Sequence, residues 1–147
     1  MIKTVYIGAD AQDYSFKKHL IADLKSDGLV VVDLGVFMIE DQASIEDLGR
    51  EIGEKVAQDP NSIGVIIEKN GLNMCIIADE IKPVHSTVCL KSVDLVFDAQ
   101  NCNTICLSSE CMPYPETIQN LRKFIHSKNN TMFNFSFIIF HKITNIT

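Results

Sequence analysis

Short apolar runs alternate with amphipathic stretches along most of this chain. Residues 3–8 are brief, apolar and β-branched, which predicts a strand, and a polar turn over residues 10–15 follows. Phe16, Leu20 and Leu24 then recur at helical spacing, with lysines and aspartates on the other side, and Gly28 closes that helix. Residues 29–34 predict a second buried strand, ending at Gly35. Ile45, Leu48, Ile52 and Val56 mark a second amphipathic helix, stopped by Asp59-Pro60. A third strand is predicted over residues 63–67 and a helix over residues 72–81, with Pro83 ending it. Residues 84–90 predict a fourth strand, residues 93–99 a short helix and residues 104–107 a fifth strand. Pro113-Tyr114-Pro115 opens a last helix carrying Ile118, Leu121, Phe124 and Ile125. Near-continuous apolar strands separated by helices belong to parallel sheets covered on both faces. The expected fold is therefore a three-layer α/β/α sandwich, a Rossmann-like, doubly wound, five-stranded parallel sheet.

The end of the chain departs from this pattern. Residues 1–127 make the α/β domain, and residues 128–147 form an atypical tail of Asn, Phe and Ile, with almost no charge and no Gly or Pro. Phe133, Phe135, Phe137 and Ile139 alternate, which predicts an extended strand able to pair with a sheet edge or a neighbouring subunit. No role in the core activity is expected of it.

Composition narrows the class of partner. The 147 residues suit one domain, and the net charge is −6 with two arginines, Arg50 and Arg122. A general nucleic-acid binder needs a basic stripe, and none is present. Small molecules or other proteins are the expected partners, with no nucleic acid and no membrane. Five cysteines, an odd number, without a leader-like N-terminus, point to a reducing cytoplasm. Cys102, Cys106 and Cys111 have no further His or Cys at a spacing that completes a metal site, so no metal is expected. GxGxxG, GxxxxGK[ST] and GxSxG are all missing, which removes a dinucleotide fingerprint, a P-loop and a nucleophile elbow. No cofactor is expected.

Candidate chemistry gathers where predicted strands run out, since open parallel sheets bind ligands at their carboxyl edge. There the sequence places Gly8-Ala9-Asp10, then Glu68-Lys69-Asn70-Gly71, then Ser108-Ser109. If the first and third strands are neighbours, Asp10 and Glu68 face one crevice. A carboxylate there can serve as a general base when burial raises its pKa, or can simply cap the helix that follows. Both readings stand for each acid.

The order of these pieces resembles the sugar-phosphate isomerase family of type B ribose-5-phosphate isomerase and galactose-6-phosphate isomerase. The resemblance covers residues 2–127. It is carried by Ile7-Gly8-Ala9-Asp10, the Lys17-x-x-Leu20 spacing, Val31-Val32-Asp33-Leu34-Gly35, Gly64-Val65-Ile66-Ile67, Ile76-x-Ala78 and Asn101-Cys102-Asn103-Thr104. It implies aldose–ketose isomerisation through an enediol, with basic residues partly from a neighbouring subunit holding the phosphate. Glu68 stands at the family's proton-transferring cysteine and Asn101 at its ring-opening histidine; these two are the implied catalytic positions. Asp10, Lys69, Asn70, Gly71, Asn73 and Asn103 are the implied substrate-binding positions. Ala11 replaces a first-loop histidine, Ile45 a substrate-contacting tyrosine and Asn73 a glycine, and the basic C-terminal segment is missing. An acid at position 68 resembles the galactose-6-phosphate isomerase A subunit. The expected partners are thus a phosphorylated hexose or pentose, further copies of the chain as a dimer or tetramer, and a homologous B-type subunit. Two other readings remain: a catalytically degenerate family member acting as a regulatory or scaffolding oligomer, and a phosphoacceptor domain built on Asp10, Asp13 and Glu68. The second lacks the aspartate after strand three and the lysine after strand five that it needs.

Overall fold

The computed structural model describes residues 1–35, 44–69, 73–89 and 101–144, with side chains as far as residue 130. The predicted helix over residues 93–99 lies outside the described residues, as do Asn70 and Gly71. Five strands form one sheet: β1 (Thr4–Ala9), β2 (Val30–Asp33), β3 (Ser62–Glu68), β4 (Ser86–Cys89) and β5 (Thr104–Ser108). Their order is β2-β1-β3-β5-β4 and every pairing is parallel. The helices are α1 (Tyr14–Ser26), entered through a 3-10 turn at Ala11–Asp13, then α2 (Ile45–Gln58), α3 (Asn73–Asp79) and α4 (Tyr114–Thr144).

Alternation along the strands divides the core into two layers. Val5, Ile7, Ile63, Val65, Ile67, Ile105 and Leu107 face α1 and α4, where they meet Leu20, Leu24, Leu121 and Phe124. Ile66 and Cys106 face α2 and α3, against Leu48, Ile52, Val56, Met74 and Ala78. Two glycines let α2 lie close to the sheet. A Cβ on Gly8 would sit 2.8 Å from Ile52 Cδ1, and one on Gly64 would sit 3.1 Å from Ile52 Cγ2. The doubly wound sandwich read from the hydrophobic pattern is the fold observed.

Three local expectations change. Residues 29–34 do not make a buried strand: β2 is an edge strand, its residues half-exposed and Val30 59 % exposed. An apolar run does not reveal whether it has one neighbour or two. The tail is no strand either, because α4 continues to Thr144. Nothing stops it: no Gly or Pro occurs after Pro115, and Phe133, Phe137 and Phe140 recur at i, i+4 and i+7 as well as fitting the alternation. The cysteines are not all thiols: Cys75 of α3 and Cys106 of β5 form a disulfide with their Cα atoms 6.2 Å apart. Cys89, Cys102 and Cys111 take no part in a disulfide.

Candidate functional site

The first and third strands are neighbours. β1 pairs with β3 from Thr4↔Ser62 to Ala9↔Ile67, and their following helices lie on opposite faces of the sheet. This is a topological switch point, where loops leaving in opposite directions open a crevice at the carboxyl edge. Glu68 ends β3 beside it and is 5 % exposed. Its Oε1 accepts from the Met74 backbone N–H at 2.9 Å, in the first turn of α3, so it does act as a cap. Its Oε2 is buried with no partner among the described residues. Burial raises the Glu68 pKa above its ordinary value, and the charge of Asp10 adds to this; the Met74 and Asn73 N–H groups pull the other way. Of the two sequence readings of Glu68, the structure shows the helix cap, made through Oε1.

Asp10 caps the 3-10 turn, its Oδ1 accepting from Asp13 N–H at 3.2 Å. Lys69 pairs with Glu110 at 3.4 Å, and its carbonyl accepts from Ser108 Oγ at 2.7 Å. Half-exposed ion pairs like this one contribute little stability. Asn73 is the exposed first residue of α3. One group of the cluster escaped the list of site residues read from the sequence. Asp13 is 5 % exposed, accepts at Oδ1 from the hydroxyl of Ser109 just beyond β5, and keeps a buried Oδ2 without a partner among the described residues. Only its place three residues after Asp10 hinted at it; contact with a loop 96 positions away leaves no local signal. Below this edge the Lys17 ammonium, 0 % exposed, holds Asp33 Oδ1 at 2.8 Å, and that oxygen also accepts from Gly35 N–H at 3.0 Å. The Lys17 and Asp33 segments of the resemblance therefore meet where β2 ends against α1.

A family model described as Ribose/Galactose Isomerase matches residues 5–134. The chain belongs to that family. Among curated relatives, the probable ribose-5-phosphate isomerase B of Mycoplasma pneumoniae is 25% identical over 126 residues, covering 84% of this chain and 83% of the relative. D-erythrulose-4-phosphate isomerase 2 of Mycolicibacterium smegmatis is 27% identical over 111 residues, 73% of each chain. In fold, the structure of ribose-5-phosphate isomerase B from Mycoplasma genitalium with bound ribulose-5-phosphate superposes with a TM-score of 0.79. The identity there is 23% and coverage is 97% of both chains.

Within this ribose/galactose isomerase family member, not all the implied positions converge. Asn103 immediately precedes β5, so it lies at the amino edge, where its Oδ1 accepts from His85 N–H at 3.0 Å and its Nδ2 donates to the Pro83 carbonyl at 3.3 Å. Asn101 is exposed two residues earlier. The β3–β5 register aligns Gly64 with Thr104 and Glu68 with Ser108. At about 3.3 Å per residue, the Asn103 end is roughly 13 Å or more from Glu68. Proximity in the motif order did not distinguish the two ends of a strand. The arginines are also elsewhere: Arg50 pairs with Glu46 on α2, and Arg122 binds Asp27 bidentately at 2.8 and 3.1 Å, before β2. Lys69 is the cation of the described residues that directly follow β1, β3 and β5. Among the described residues no group of acids, His and Cys could hold a metal, and no helix is long and apolar enough to cross a membrane.

The Asp13 carboxyl has a titration that stability can report. Its pKa is raised from 3.8 to about 6, first by burial; the Ser109 hydrogen bond opposes this, and the contact with Asp10 and the charges of Asp10 and Glu110 reinforce it. An acid whose folded pKa lies above its unfolded value favours folding while protonated. That contribution is lost as pH rises from about 3.8 through about 6 and stays lost above. Asp13→Asn is therefore expected to raise the melting temperature at pH 7.5, with the gain shrinking progressively below pH 6. Melting curves from pH 4 to 8 check this; a constant difference across that range contradicts it.

Proposed function

We propose that this chain is a subunit of a sugar-phosphate aldose–ketose isomerase, in the manner of type B ribose-5-phosphate isomerase, working through an enediol. The observation that carries the reading is Glu68: a buried carboxylate with one oxygen anchored on a helix and the other without a partner among the described residues, at the switch point of a ribose/galactose isomerase fold. In this reading the free oxygen of Glu68 removes the proton from one carbon of the opened sugar and returns it to the neighbouring carbon. Desolvation suits a carboxylate to that task, because it raises its proton affinity toward neutrality. Asp10, Lys69, Asn70, Gly71 and Asn73 surround the sugar in this reading. Asn101 and Asn103, at the far edge of their own subunit, reach a sugar only from a neighbouring copy, so the active form is a homo-oligomer.

A phosphorylated pentose is the first substrate to test, since the relatives above carry pentose and tetrose phosphate names. A coupled assay of the purified chain with ribose 5-phosphate is expected to yield ribulose 5-phosphate, with light scattering reporting the oligomer. The scarcity of cations among the described residues around Glu68 favours a second reading. Here the chain is a galactose-6-phosphate isomerase A-type subunit that turns over only with a B-type partner supplying the phosphate contacts. Activity on galactose 6-phosphate confined to the mixture selects it. No turnover of ribose 5-phosphate, erythrulose 4-phosphate or galactose 6-phosphate, alone or mixed, refutes both and leaves a non-catalytic family member.

A further inference from the structure

An aldose and its ketose differ by two proton movements, one between carbons and one between oxygens. Glu68 serves the carbons; a separate group must serve the oxygens, because a carbonyl becoming an enediol hydroxyl gains a proton as the carbon beside it loses one. Asn101 can neither give nor accept a proton at ordinary pH, and in its own subunit it lies at the wrong edge. The described carboxyl-edge loops offer another pair. Ser109 follows β5 directly, one residue past the Ser108 that aligns with Glu68, and is half-buried at the crevice. Its hydroxyl donates to Asp13 Oδ1, and the other Asp13 oxygen is buried with no partner among the described residues. The pair spans loops after β1 and β5, the two strands that flank β3 and Glu68.

We propose that Ser109 and Asp13 are a second proton-transfer pair of this site, with Ser109 touching the substrate oxygens and Asp13 supplying and recovering the proton. This rests on the isomerase reading above. The steps balance without a co-reactant. Glu68 takes the proton from C2 of the open aldose while Ser109 donates its hydroxyl proton to O1 and is reprotonated by Asp13; the C2–H bond breaks and the O1–H bond forms. In the second half the O2 proton passes through Ser109 to Asp13, the C2=O bond forms, and Glu68 delivers its proton to C1. Ser109 is the catalytic residue of the pair and Asp13 the positioning residue that acts through it.

Charged groups facing Asp13 come from both loops: Asp10 from the turn after β1 and Glu110 from beyond β5, with Lys69 paired to Glu110. The two acids help hold a proton on Asp13, whose pKa is raised to about 6, and the working form has Asp13 protonated. The test is a kcat/KM-against-pH profile with ribose 5-phosphate, or whichever sugar phosphate the wild type turns over. The variants are Asp13→Asn, Ser109→Ala, Ser109→Thr and the double variant Asp13→Asn/Ser109→Ala. Expected are a fall of wild-type activity as pH rises through about 6, and loss of that limb in Asp13→Asn. A drop of about 100-fold in kcat is expected in either single variant, with KM nearly unchanged. The double variant should be no worse than the singles, and Ser109→Thr should recover most of the activity because it keeps the hydroxyl. Melting curves show that each variant folds. Additive losses, or an unchanged alkaline limb in Asp13→Asn, overturn the pair and leave the isomerase reading standing. A wild type inactive on every sugar phosphate offered removes that reading, and the pair with it.

Discussion

Glu68→Gln is expected to lower kcat about 10³-fold on the active sugar phosphate, with little change in KM and little loss of stability. The amide oxygen of Gln can still accept from Met74 N–H, so the capping contact of 2.9 Å survives while the proton carrier is lost. General-base groups contribute about 10²–10⁴-fold, which places this loss near the middle of the range. Glu68→Asp is the sharper companion. It keeps the acid but shortens the stem, so it cannot cap α3 and reach the crevice at the same time; it should lose both activity and melting temperature. Steady-state kinetics with thermal melting on the same preparations read both effects. If Glu68→Gln keeps wild-type kcat, the carboxylate is only a helix cap.

The largest effect on stability is expected at the buried Lys17–Asp33 pair. Lys17 is fully buried and its ammonium holds Asp33, whose side chain is 27% exposed. Removing the acid leaves a buried cation, and breaking a buried pair from one side costs about 3–5 kcal/mol. Asp33→Ala also removes the acceptor that holds Gly35 N–H at 3.0 Å, at a glycine with φ of 125° where the chain leaves β2. Lys17→Met should cost less. It fills the same space with an apolar chain, and the remaining carboxylate is exposed enough to be hydrated. Urea titration of the two variants decides the point: equal losses would mean that packing, not the ion pair, carries this site.

The relative ease of reading different parts of this protein follows from how far apart the interacting residues are. The strand-helix alternation was legible because burial on both faces demands apolar runs, and amphipathic helices repeat every 3.6 residues. Glu68 and Asp10 were legible as carboxyl-edge residues because a strand end followed by a turn puts them there whatever the strand order. The helical tail was not, since Phe133, Phe137 and Phe140 satisfy helical spacing while Phe133, Phe135 and Phe137 satisfy strand spacing, and no Gly or Pro arbitrates. Nor was the edge position of β2, because apolar content alone does not count neighbours.

By itself the sequence determined the fold class, the family resemblance and the placement of two acids at strand ends. These depend on periodicity and on local order, which a chain carries in its primary structure. Tertiary structure alone decided the rest. It set β1 beside β3, brought Ser109 to Asp13 across 96 positions and joined Cys75 to Cys106. It also put Asn101 and Asn103 at the opposite edge from Glu68. Such contacts form only when the sheet closes, and burial at those contacts, more than residue type, is what shifts a carboxyl group toward holding its proton.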